Sequence, residues 1–131
     1  MNEQAMHEIL AESQAGELIF PEVVQRLLEA GVESYFCDFA TGQETFYMRA
    51  GKTHVEKMVL PLAPIAEKFL PTELLAAIHG AQADTIRYPE FVKRSVAAGV
   101  TAYWAFLTGR KVIYFGHKGE THTEEYPRAK S

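Results

Sequence analysis

One phrase occurs twice in this chain, and that recurrence limits the fold more tightly than any bulk property. Phe20-Pro21-Glu22-Val23-Val24-Gln25-Arg26-Leu27-Leu28-Glu29-Ala30-Gly31-Val32-Glu33-Ser34-Tyr35 returns as Tyr88-Pro89-Glu90-Phe91-Val92-Lys93-Arg94-Ser95-Val96-Ala97-Ala98-Gly99-Val100-Thr101-Ala102-Tyr103. Each copy leads into Thr-Gly (Thr41-Gly42, Thr108-Gly109), then an aromatic segment, then Gly-x-Thr-His-x-Glu at Gly51 to Glu56 and at Gly119 to Glu124. The pattern reads as an internal duplication, with one unit over about 2–59, the second over about 71–127 and a Pro-containing joint at 60–71. Neither unit has enough strands or helices to cover its own apolar face, so the two are expected to share one core in a single domain, 1–131.

Within a unit the periodicity changes from helical to extended. Met6, Ile9, Leu10 and Ser13 fall at helical spacing over Asn2 to Gln14. Pro21 suits a first helical turn, Glu22 complements the positive end of the helix dipole and Gly31 can take a left-handed cap, which predicts a helix over Pro21 to Ala30. Val32 to Phe39, Glu44 to Met48 and Thr53 to Val59 read as strands joined by turns at Thr41-Gly42 and 50–52. The second unit repeats the series as helices over Thr72 to Gln82 and Pro89 to Ala98, then strands over Val100 to Leu107, Lys111 to Phe115 and Glu120 to Tyr126. The copies slip by one residue before their Thr-Gly pairs, which predicts a β-bulge at Asp38. Ile65, Ala66 and Phe69 fit a short helix in the joint, and a polar tail from Arg128 is expected to fray. The expected class is α+β: a duplicated helix-helix-hairpin-strand unit with an antiparallel sheet packed against helices, in one sheet or two abutting sheets.

The two Pro-Glu helices, Ala30-Gly31-Val32-Glu33-Ser34-Tyr35, Ile65-Ala66-Glu67-Lys68, and Gly99-Val100 followed by Trp104 resemble the YdfO/YbcV-like family of small bacterial and prophage proteins. The resemblance spans roughly 10–127 and implies an α+β fold with helices against antiparallel strands, and no particular activity. Relatives carry the label "phage envelope protein". Many also carry Cys or His in the second Pro-Glu helix, where this chain has Val92, Arg94 and Ser95, so no thiol or metal role transfers to that helix.

A net charge of −4 and a pI near 5.7, without runs of like charge, exclude the usual phosphate-backbone binder; nucleic acid is not an expected partner. The single cysteine, Cys37, fits a reducing compartment. No apolar run reaches the length of a membrane span, and Glu3, Glu8 and Glu12 stand where a signal peptide would be basic or apolar, so the chain is expected to be cytoplasmic, with no membrane partner.

Two sets of residues could carry function. His54-x-Glu56 and His122-x-Glu124 each place an imidazole and a carboxylate on one strand face; if the third strands of the units lie together, the four could form a divalent-metal site or an acid/base cluster. The plainer reading leaves both pairs in solvent after a hairpin turn. Tyr35, Tyr103, Tyr47, Tyr114 and Trp104 concentrate aromatic side chains on paired strands; most should be core, yet some could line a groove at the seam between units and hold a small ligand or a protein segment. Cys37 aligns with Ala105, which favours packing over nucleophilic catalysis. Glu22 with Arg26 and Glu90 with Arg94 are spaced for ordinary helix-surface pairs, or for two arginines gripping an anion. No Gly-rich phosphate loop, Cys-x-x-Cys, His-Glu-x-x-His or Gly-x-Ser-x-Gly occurs. The leading expectation is therefore a non-enzymatic module binding a small ligand or protein partner, with no cofactor; the alternative is a small metal-dependent or acid/base enzyme. A homodimer formed through an exposed strand edge is a further expectation.

Overall fold

A ten-residue helix does not hold in water on propensity alone, so each helix here depends on what its apolar stripe covers. In the computed structural model, which describes residues 3–59 and 63–125, α1 (Glu3–Gln14) buries Met6, Ile9 and Leu10, and α2 (Phe20–Glu29) buries Val23 and Leu27. Burial of each such side chain contributes about 1.5–3 kcal/mol as an upper bound. α3 (Pro71–Gln82) and α4 (Tyr88–Ala97) present Leu74, Ala77 and Ile78, and Phe91, Val92 and Val96. Pro21, Pro71 and Pro89 all sit in a first turn, where a missing amide costs nothing.

The strands are β1 (Val32–Asp38), β2 (Gln43–Met48), β3 (Thr53–Lys57), β4 (Ala102–Phe106), β5 (Lys111–Phe115) and β6 (Thr121–Glu125). They form one antiparallel sheet in the order β3-β2-β1-β4-β5-β6, so the fold is α+β. The order helix, helix, strand, strand, strand runs twice along the chain. At the middle of the sheet β1 pairs with β4, Phe36 opposite Trp104 and Cys37 opposite Tyr103. All four helices contribute to one core with the inward residues Tyr35, Cys37, Phe46, Tyr103, Ala105, Val112 and Tyr114.

Two expectations require correction. Asp38 pairs regularly with Gln43 and with Ala102, so there is no bulge at that position. The irregularity in β1 falls between Val32 and Ser34. The β1-β2 and β4-β5 turns, 39–42 and 107–110, have equal lengths, and the left-handed position is filled by Gly42 (φ 73°) in one and by Arg110 (φ 59°) in the other. The Thr-Gly pairs thus occupy different positions in turns of the same size, and the apparent slip lies in the sequence alone. The joint forms no helix at Ile65, Ala66 and Phe69, because its amides are used across the fold: Ala66 donates to the Val96 carbonyl and Leu70 to the Ala98 carbonyl. Residues 60–62, Tyr126 and the tail from Arg128 lie outside the described residues.

Candidate functional site

Alternation along β2 sends Glu44, Phe46 and Met48 to the core face. Glu44 is therefore 2% exposed, directly opposite Cys37 on β1 and Glu56 on β3. Burial, with repulsion from Glu56 second, pushes its carboxyl up to about 8. The corresponding place in the β4-β5 ladder, opposite Ala105, is held by Val112, which is also buried. The fold accepts an apolar side chain there.

Glu44 lines a cavity of about 60 Å³ between the helices and the sheet. Its walls include Tyr35 from β1, Tyr88 and Phe91 from α4, Tyr103 from β4, Tyr114 from β5 and Glu124 from β6, with Phe20 at the start of α2 and Leu18 and Ile86 from the segments that enter α2 and α4. The Tyr88 and Tyr103 hydroxyls are 2.9 Å apart, and the Cys37 thiol lies 3.8 Å from the Tyr88 oxygen. Burial raises all three groups well above their ordinary values, so Cys37 stays a thiol and packs as a small apolar residue. Tyr114 donates to Glu124 Oε1 at 2.6 Å, and Gln82 Nε2 donates to Oε2 at 2.6 Å. Burial still raises the Glu124 carboxyl, against the lowering effect of those two bonds and of the nearby His122 and His79. Arg87 is the one basic side chain among the described lining residues, and it is already engaged: Nε lies 2.6 Å from Asp84 and Nη1 donates to the Gly16 carbonyl at 3.1 Å.

Of the five aromatic residues expected at a seam, Tyr35, Tyr103 and Tyr114 line this cavity, while Tyr47 and Trp104 do not. Alternation turns those two to the opposite face of the sheet, where their rings stack at 5.6 Å, Phe36 meets Trp104 at 5.3 Å, and Trp104 Nε1 donates to the Ser34 hydroxyl. The His-x-Glu pairs do not converge either. β3 and β6 are opposite edges of the sheet, five strand intervals apart, which at roughly 4.8 Å each separates His54 from His122 by about 24 Å. No group of three or more His, Cys, Asp or Glu among the described residues is placed to hold a metal ion.

The pairs also do not stand in open solvent. His54 and Glu56 sit opposite the buried Phe46 and Glu44, and α1 comes over them: His54 Nε2 is 3.2 Å from Glu56, His54 Nδ1 is 3.4 Å from Glu3, and His7 Nδ1 is 3.4 Å from Glu56. The arginines do not share a cleft. Arg94 bonds Glu90 at 2.9 Å on the surface, whereas Arg26 reaches Glu12 on α1, leaving Glu22 to accept the Ile19 amide at 3.0 Å and cap α2. Glu44 and Tyr88 were not anticipated as site residues. The signal for Glu44 was its two-residue spacing from Phe46 and Met48.

The model of the family described as "Protein of unknown function (DUF1398)" matches residues 2–125, and the chain belongs to that family. No curated protein matches it. No helix among the described residues is long and apolar enough to cross a membrane.

Proposed function

We propose that this member of the DUF1398 family is a non-enzymatic binding module, and that the cavity between its helix layer and sheet receives a small ligand. The observation that carries this reading is Glu44: an acid whose carboxyl is raised by burial, lining a cavity, at a place where the neighbouring ladder has valine. Burying such a group costs free energy that packing does not return, and costs of that kind concentrate where a site must meet something. In this reading Tyr35 and Tyr103 line the site together with Tyr88 and Tyr114. The remainder of the proposal is a small bacterial or prophage protein of the YdfO/YbcV kind, cytoplasmic, built from two copies of one ancestral unit; the twice-run element order supports the last point. The enzyme reading built on His54, Glu56, His122 and Glu124 loses its support, because it required the two pairs to meet.

Substitution of Ala81, on the α3 side of the cavity, by leucine tests the reading. A thermal-shift screen of small molecules spanning positive, neutral and negative charge should find compounds that stabilise the wild type and lose that effect in Ala81→Leu, with the variant still folded. Absence of any stabilising compound, or shifts that persist in the variant, would overturn it.

A further inference from the structure

We propose that the ligand is a small organic cation, a protonated amine on a short apolar body, with its charged nitrogen against Glu44 among the rings of Tyr35, Tyr88 and Tyr103. This rests on the binding-module reading and names the class of molecule bound. The lining carries two carboxyls and four phenols against one guanidinium, and that guanidinium already serves Asp84 and the Gly16 carbonyl. An anion would find no uncommitted positive partner in that lining. A neutral molecule meets the neutral Glu44 acid without forming a charge pair. A cation draws the carboxyl into its ionised form and pairs with it, and tyrosine faces attract it through their quadrupoles. The volume, about 60 Å³, admits an ammonium head and a short chain and excludes a nucleotide or a sugar chain. Leu18, Phe20, Val23 and Ile86 supply the apolar wall for the rest of the molecule.

Proton balance follows from the groups around Glu44. Glu56 on β3 faces it with a negative charge and is itself contacted by His7 from α1 and His54; Cys37 on β1 and Tyr88 and Tyr103 from α4 and β4 remain protonated. At neutral pH Glu44 is therefore mostly the neutral acid before binding. The arriving ammonium keeps its own protons, Glu44 ionises against it, and one proton passes to solvent.

Titration calorimetry with n-butylammonium chloride, n-butanol and sodium butyrate tests the proposal on the intact chain. The ammonium should bind tightest, and its heat at neutral pH should change with the ionisation enthalpy of the buffer in the sense of proton release. Glu44→Gln, which keeps the shape and removes the charge, should weaken ammonium binding roughly tenfold or more while leaving n-butanol unchanged. Glu124→Gln should have the smaller effect, since its carboxyl is already satisfied by Tyr114 and Gln82. Equal or tighter binding of butanol or butyrate would overturn the cation assignment and leave the cavity as a binding site. Binding of none of the three, with the Ala81→Leu screen also silent, would remove both readings. Unchanged ammonium affinity in Glu44→Gln would remove Glu44 as its partner.

Discussion

The Glu44 carboxyl titrates near 4.5 in its ordinary state and near 8 in the fold. Between those values the native state holds a proton that the unfolded chain has released, so stability is complete below about 4.5, falls as pH rises, and levels off above about 8. At neutral pH the loss is about 3 kcal/mol, taking 1.4 kcal/mol per pH unit. The raised Glu124 carboxyl acts in the same direction, while the lowered Glu90 and Glu120 carboxyls act in the opposite one at acid pH. The expected result is that urea denaturation of the wild type loses stability steadily from about pH 5 to about pH 8, and that Glu44→Gln removes most of that slope. An identical slope in the variant would mean that Glu44 is not the group responsible. Much of this was legible in the sequence, since Glu44, Phe46 and Met48 alternate on one strand face; what was not legible is that this face lies under helices at that point, which depends on contacts distant in the chain.

At the scale of elements, the two helix caps look alike in sequence and differ in space. Gly31 and Gly99 both follow a helix end at alanine and both take positive φ, 93° and 82°. A side chain at Gly31 would meet only the Met48 methyl, at 3.6 Å, whereas one at Gly99 would run into the Lys68 carbonyl and the Phe69 backbone. The joint is stitched to the end of α4 by the Ala66 and Leu70 amides, so it cannot move aside without losing those bonds. Gly31→Ala should therefore cost about 1 kcal/mol for backbone strain, and Gly99→Ala about 3 kcal/mol or more, measured by thermal or urea unfolding. Equal costs would show that the joint yields freely. The same long-range stitching explains why a short helix at Ile65 to Phe69 was a reasonable expectation and a wrong one: the local apolar spacing is helical, but the amides have partners elsewhere.

At the scale of the whole molecule, the central pairing of β1 with β4 joins the two halves into one sheet above one core. Unfolding should then be a single transition, with the same midpoint by the fluorescence of Trp104 in β4 and by far-ultraviolet circular dichroism of the whole chain. Two separated midpoints would mean that the halves fold independently. The recurring phrase made the elements and their order readable, because helical and alternating periods are local properties. Strand order is not local. Whether the third strands meet or part depends on which edges pair, and the β1-β4 choice sends His54 and His122 to opposite margins of the sheet.

That Val112 stands where the other ladder carries Glu44 gives the proposed duplication an evolutionary corollary. A frame with two look-alike flanks lets one of them experiment with new chemistry while the other preserves foldability, so specialisation in such a lineage would be expected to be lopsided.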